Sequence, residues 1–338
     1  MGNNKKVTGS EGLDEAIRDR GRRVIDEFFQ LMMSGVTDTR LISMIEEIKG
    51  SWPGLFRPAL TSFCFEAVGG ESSQIVNAGA VLNLFDAGLS IHDDVIDKTL
   101  RKRFRMTTFG TRGLENAVLV GDLLIVKAWA LICEMMNKSD KSTIVSFPRA
   151  YEKFFIEMCE GEIAEMSCRK NLDTEIAAYE KILMEINSGI RACAYLGAIL
   201  GGATKKQVKT LSEFGKSLSL MFALRDDLRD CFNVDGYLPH RIENESVPFP
   251  LLYAAKSSND RSSKIRFIID KPSITPSDIE ELLKICFEAD AFVYLQKVVN
   301  REAKRANSLL DSLKPTCARE LLRSIIKNTC ASVSELSP

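Results

Sequence analysis

Apolar residues recur at intervals of three and four along most of this chain. Leu13, Ile17, Val24, Ile25, Phe28 and Met32 form one such stripe, and Leu183, Ile186, Ile190, Ala194 and Leu196 contribute to another. β-branched alternation is rare and Gly and Pro are sparse, so the pattern predicts an all-α protein. Capping boxes predict helix starts at Thr204 with Gln207 and at Ser277 with Glu280. Breaks are expected at Ser51-Trp52-Pro53-Gly54, Gly69-Gly70, Gly201-Gly202, residues 256–263 and Lys271-Pro272, giving about ten or more helices. No stretch has the composition of a linker. The simplest organisation is one large helical domain over residues 1–338, with residues 1–10 flexible. The longest apolar stretch, residues 117–136, carries Asp122 and Lys127 near its middle, so no transmembrane segment is expected.

Composition narrows the function. The 338 residues are 45% hydrophobic and 27% charged, with 45 Lys+Arg against 46 Asp+Glu for a formal charge of -1. A chain of this kind buries a large core, which excludes disorder and a small disulfide scaffold. The near-zero balance, without a basic block, argues against nucleic acid as a partner. Nine cysteines with no C-x-x-C pair read as reduced thiols in the cytoplasm, and the N-terminal residues lack the features of a secretory signal or a myristoylation site. Only His92 and His240 are present, which leaves a Ser-His-Asp triad, a His-ligated zinc and a facial iron triad poorly supported. The chemistry must rest on carboxylates and cations.

One acidic pattern occurs twice, as Asp93-Asp94-Val95-Ile96-Asp97 and as Asp226-Asp227-Leu228-Arg229-Asp230. On a helix the first and last aspartates of each project from one face, one turn apart, as an oxygen-ligand pair for a hard cation. Leu84, Phe85, Leu89 and Ile91 precede the first motif, and Leu218, Leu220, Met221, Phe222 and Leu224 precede the second. Carboxylates grouped at the ends of apolar helices repel one another and are costly to desolvate unless cations neutralise them. Magnesium, which bridges carboxylates to phosphate oxygens, is the natural partner. A single such motif would more often be a solvated acidic face; two in matching apolar settings are not. The run Arg101-Lys102-Arg103-Phe104-Arg105 follows the first motif and has the character of a polyanion clamp.

With these residues the chain resembles the trans-isoprenyl diphosphate synthases, the polyprenyl synthetase family. The resemblance runs roughly from residue 50 to 255, through Leu55-Phe56-Arg57-Pro58, Glu66-Ala67-Val68-Gly69-Gly70, the first motif, Gly121-Asp122, Gly161-Glu162, the second motif and Pro250-Leu251-Leu252-Tyr253-Ala254. It implies an all-α isoprenoid synthase bundle around a central apolar cavity. It also implies a homodimer and a prenyl diphosphate substrate held through about three Mg2+ ions. Asp93, Asp94, Asp97, Asp226, Asp227 and Asp230 are then the metal-binding and catalytic set. Ionisation of the allylic diphosphate leaves a carbocation in a dry cavity, where an acceptor double bond, usually that of isopentenyl diphosphate, attacks it.

The resemblance weakens at the acceptor. Gly54 stands where the family has a Lys, Arg57 is retained, Asp86 replaces a His, and Lys102-Arg103-Phe104 replaces Arg-Arg-Gly. Only Arg57 and Arg103 remain as holders of a second diphosphate, Lys102 joins the wider diphosphate-binding set, and His240 and Arg241 either substitute for another lost Lys or are loop residues of a Pro-rich flap. Asn187-Ser188 replaces a Lys-Thr, Ala223 a Gln, and Ser246 a late Lys. Three readings stay open: a prenyltransferase with an altered acceptor site, a terpene synthase (cyclase or lyase) that needs no isopentenyl diphosphate, and a regulatory subunit paired with an active synthase.

Product length in this family is read from the helix before the first motif. Gly88 and Leu89 place no aromatic plug there, and Phe85 forms a deeper floor, room for about fifteen carbons or more at roughly 5.4 Å per turn. Gly88 has the alternative role of permitting close helix packing. His92 is expected to pack or hydrogen-bond, and Trp52 and Trp129 to lie in the core; Glu162 and Glu165 are expected in a polar helix stripe or, as the resemblance implies, facing the cavity to polarise water or an acceptor.

Overall fold

A computed structural model of the chain describes residues 10–336 apart from 53, 72–73, 103–104 and 139–145. Among these, fifteen helices carry the fold: α1 (Ser10–Met33), α2 (Thr39–Ser51), α3 (Phe56–Ala67), α4 (Gln74–Ile96), α5 (Thr108–Lys138), α6 (Ser146–Ser167), α7 (Ile176–Ile186), α8 (Ser188–Leu200), α9 (Lys205–Cys231), α10 (Leu238–Asn244), α11 (Phe249–Ser257), α12 (Asn259–Ile269), α13 (Pro276–Glu288), α14 (Ala291–Asp311) and α15 (Cys317–Leu336). The all-α reading holds. One departure is a short antiparallel ribbon inside the basic run, β1 (Arg101–Lys102) paired with β2 (Arg105–Met106). Of the lead expected to be flexible, residues 1–9 lie outside the described residues and Ser10 already opens α1.

Helix boundaries follow local chemistry. Thr204 and Gln207 cap α9 as expected: the Thr204 hydroxyl accepts from the Gln207 N–H at 3.3 Å, and Gln207 Oε1 accepts from the Thr204 N–H at 2.9 Å. The box expected at Ser277 and Glu280 is instead two residues earlier, Thr275 with Asp278, because Pro276 suits the first helical position, where no N–H is needed. The break expected over residues 256–263 shrinks to Ser258, which ends α11 and whose hydroxyl accepts from the Arg261 N–H to start α12.

The chain packs as two compact units. The first comprises the described residues up to Glu152 with Gly189–Gly215 and Asn307–Asn328; the second comprises Lys153–Ser188, Lys216–Ala306 and the described residues from Thr329 onward. In the first unit α4 packs against α1, α3 and α5. Val24, Phe28, Phe63, Leu84, Phe85 and Leu124 are sealed from water in its core. Helix α4 is apolar around most of its girth, as a helix covered on several sides must be. By length and composition alone it could cross a membrane, but 61% of its most apolar stretch is buried within the protein. Its approach to α5 is close: a Cβ on Gly88 would stand 2.8 Å from the Gly121 carbonyl oxygen. Gly113 (φ 79°) kinks α5 near its start, in a conformation that L side chains avoid.

In the second unit α11 packs against α7, α12 and α13. Phe249 and Tyr253 stack on Tyr294 with ring centroids 6.0 and 4.1 Å apart, and Tyr179 stacks on Phe249 at 6.4 Å.

Candidate active site

The first motif ends α4. A helix C-terminus carries the negative end of the backbone dipole, so three aspartates there raise the local demand for positive charge. Lys98, with φ 55°, turns the chain out of the helix, and the Thr99 N–H donates to the Asp94 carbonyl at 2.7 Å. The ribbon then brings Lys102 back over the motif, its Nζ 3.0 Å from Asp93 Oδ2 and 2.7 Å from Asp94 Oδ1. Asp94 is buried; Asp93 keeps 36% of its side chain in solvent. Burial pushes the Asp94 carboxyl above its ordinary value while Lys102 pulls it back. Burial alone would lower the Lys102 ammonium, but Asp93 and Asp94 hold it well above its usual range.

Two turns earlier on the same face of α4, Asp86 Oδ2 meets Arg57 Nη1 of α3 at 2.5 Å. Burial raises the Asp86 carboxyl and Arg57 opposes that rise. Phe85 stacks on Tyr151 with centroids 3.7 Å apart, and Trp129 meets Phe85 edge-on at 5.6 Å. Trp129 is not a full core residue as expected, since 37% of it is exposed.

In the second unit the second motif likewise ends a helix, α9. Asp226 points outward with 52% of its side chain exposed, its Oδ1 held by the Arg225 guanidinium at 2.9 Å. Asp227 points inward. Its Oδ1 meets Arg241 Nη2 at 2.7 Å, and its Oδ2 accepts from the Phe249 N–H at 2.8 Å and from the Tyr179 hydroxyl at 3.4 Å. Arg241 Nη1 also donates to Asp230 Oδ2 at 2.7 Å. Burial raises the Asp227 and Asp230 carboxyls, opposed in each case by Arg241. Tyr179 Oη lies 2.9 Å from Ser246 Oγ, which donates to Glu165 Oε1. Glu165 is therefore a buried member of this network rather than part of an ordinary polar stripe. Tyr179 carried no signal in the sequence beyond its place in an apolar helix, because its hydroxyl meets groups 48 and 67 residues away.

The remaining candidates fall in several places. His240 lies against Tyr237 with ring centroids 5.0 Å apart and planes tilted by 37°, and its Nδ1 lies 3.3 Å from Asn244 Nδ2, while the neighbouring Arg241 takes the carboxylates. Arg103 lies outside the described residues. Leu89 is half-buried and Gly88 lies at the contact of α4 with α5. His92 Nε2 lies 3.3 Å from the Val118 carbonyl oxygen and 3.4 Å from Asp122 Oδ1, a hydrogen-bonding role. Gly54 faces the Trp52 indole, which occupies the place a side chain would need. The Asn187 amide donates to the Leu183 carbonyl at 3.1 Å and the Ser188 hydroxyl to the Phe154 carbonyl at 3.0 Å, so both are spent on backbone oxygens.

The polyprenyl synthetase family model matches residues 41–286, more than half of the chain and with both motifs inside it. The chain belongs to the polyprenyl synthetase family. It is 24% identical over 304 residues to a short chain isoprenyl diphosphate synthase of Methanothermobacter thermautotrophicus, covering 89% of this chain and 93% of that one. It is 26% identical over 265 residues to a nonaprenyl diphosphate synthase of Mycobacterium tuberculosis, covering 77% and 76%. A decaprenyl diphosphate synthase from Rhodobacter capsulatus superposes with a TM-score of 0.83 at 20% identity over 96% of this chain and 99% of the other, which shows the shared fold. As a polyprenyl synthetase the protein is a prenyltransferase.

For a metal, the structure sorts the polyprenyl synthetase aspartates by what they have left to offer. Asp227 spends both oxygens on protein donors, and Asp94 is buried under Lys102. Asp93 and Asp226 present carboxylate to solvent, and Asp97 follows Asp93 by one turn. Among the described residues no three His, Cys, Asp or Glu side chains close into a cage. The open carboxylates fit an ion that takes one or two carboxylates and keeps its other positions for water and phosphate oxygens.

Proposed function

We propose that the protein is a magnesium-dependent prenyltransferase. It ionises an allylic prenyl diphosphate and transfers the prenyl cation to isopentenyl diphosphate or another acceptor, with both units serving one activity. The observation that carries this reading is the pair of aspartate motifs, each at the negative end of a helix with apolar flanks and each with a carboxylate turned to solvent. About three Mg2+ ions are expected from the family, with Asp93, Asp97 and Asp226 as the carboxylates best placed to take them. Bound there, the ions supply positive charge as the diphosphate leaves. Lys102 orients Asp93 and Asp94, and Arg241 fixes Asp227 and Asp230. The aromatic cluster of Phe85, Trp129 and Tyr151 is the proposed floor that keeps water from the hydrocarbon chain.

The assembly proposed is a homodimer in the cytoplasm. Helix α5 leaves Leu114, Val118, Leu119, Val126, Trp129 and Met136 more than a third exposed, an apolar band that a second copy would cover. A hetero-oligomer with an active synthase is the other assembly; one relative at 26% identity is named component 2 of a heptaprenyl diphosphate synthase.

The deciding assay incubates the purified protein and Mg2+ with farnesyl or geranylgeranyl diphosphate, with and without isopentenyl diphosphate, and follows released diphosphate and product. Release with transfer supports the proposal. No release in either mixture, with activity appearing only when an active homologue is added, would replace it by the regulatory subunit. Hydrocarbon or alcohol from the donor alone would mark a terpene synthase, a second reading favoured by the Arg57 and Asp86 pairing.

A further inference from the structure

Among the described residues, Lys102 and Arg57 of the first unit are ion-paired to carboxylates on the face of α4 that carries the first motif. Lys102 belongs to Asp93 and Asp94, and Arg57 belongs to Asp86. Asp86 precedes Asp93 by seven residues, two helical turns or about 10.5 Å along the axis. One Arg57 amino group is taken by this pair, and its Nε is buried without a hydrogen-bond partner beside Gly189, where an added Cβ would stand 3.6 Å away. The Tyr151 hydroxyl, buried beside Asp86 and Arg57, adds no positive charge. Within this pair the Arg57 and Asp86 charges offset one another. A diphosphate approaching Arg57 would bring several negative charges against a carboxylate on a helix packed on three sides, one that cannot be swung aside.

We infer that Asp86 is a specificity-determining residue that closes this part of the first unit to a second diphosphate, so that the acceptor of the prenyl group is a nucleophile without a phosphate head. The inference rests on the reading of the protein as a prenyltransferase of allylic diphosphates and narrows its acceptor. In the transfer, the carbon–oxygen bond of the donor breaks with both electrons leaving on diphosphate. An electron pair of the uncharged acceptor forms the new bond to that carbon, and the proton the acceptor loses passes to the released diphosphate.

Calorimetric titration with isopentenyl diphosphate, alongside elongation assays with geranylgeranyl diphosphate and Mg2+, tests this. The wild-type chain is expected to show no saturable binding into the millimolar range and no elongated product. Asp86→Asn is expected to tighten isopentenyl diphosphate binding roughly tenfold or more, a gain lost again when Arg57→Gln is added. Wild-type elongation, wild-type binding in the micromolar range, or a folded Asp86→Asn chain with no gain would each overturn the inference. Should Asp86→Asn fail to fold, the two wild-type measurements still decide. Diphosphate release from geranylgeranyl diphosphate alone reports on the prenyltransferase reading separately, because it does not involve isopentenyl diphosphate.

Discussion

The Arg241 guanidinium lies 2.7 Å from the Asp227 carboxylate, with 9% and 2% of the two side chains exposed. Removing Arg241 strands Asp227 as a buried carboxylate without its cation, which typically costs about 3–5 kcal/mol, whereas removing Asp227 leaves Arg241 its bond to Asp230. Arg241→Met is therefore expected to lower the thermal midpoint markedly, and Asp227→Ala to lower it less, by circular dichroism melts. A double variant that melts well above either single one would show the pair coupled, whereas additive losses would argue against it.

Asp93→Ala and Asp226→Ala should behave differently. Their carboxylates are 36% and 52% exposed and bond to cations at or near the surface, so the fold loses little. Diphosphate release from a prenyl diphosphate in Mg2+ is expected to fall by about two orders of magnitude or more in each. Unchanged release in both variants would remove the metal-assisted reading.

Much of the fold is visible in residue spacing because helices announce themselves locally, through stripes such as Val24, Phe28 and Met32 and through the Thr204 and Gln207 cap. The same locality made both aspartate motifs legible. What escaped depends on distance along the chain. Tyr179, Glu165 and Ser246 come together from three segments, and nothing near any of them in sequence says so. The ribbon after the first motif escaped because only two residues per strand pair, too few to show alternation. The shift of the α13 cap shows two plausible boxes competing, decided by a proline.

Gly88 has two expected roles, lining a hydrocarbon tunnel or permitting close packing, and the second has a structural contact behind it. A side chain there must displace the Gly121 carbonyl or Ile125, 2.8 and 2.9 Å from an added Cβ. Gly88→Leu is expected to destabilise by about 1–3 kcal/mol or more. Product length shortened with no change in melting would instead place Gly88 against the substrate.

The exposed band on α5 predicts an assembly. Leu119→Asp combined with Val126→Asp, at residues 66% and 63% exposed, should leave the fold intact and reduce the mass in light scattering to that of one chain. An unchanged mass would mean that another surface holds the oligomer or that none forms.

Asp278 gives a pH signature. Hydrogen bonds from Lys271, from the Thr275 N–H and from the Thr275 hydroxyl hold its carboxyl down at about 2. The unfolded value is about 3.9, so the stabilisation is fully present above that pH and is lost as the pH falls through about 2. Asp278→Asn is expected to melt below wild type at pH near 5 and to converge with it toward pH 2. A gap that stays constant with pH would contradict this.

Phe85 and Asp93 ride on one unbroken helix, α4. Eight residues at about 1.5 Å each fix the interval between the Phe85 ring and the acid head at about 12 Å, with no hinge to stretch it. On the proposed reading of Phe85 as a floor, the helix is in that sense a ruler: molecules of another length are measured by exchanging side chains at its graduations, never by moving the scale.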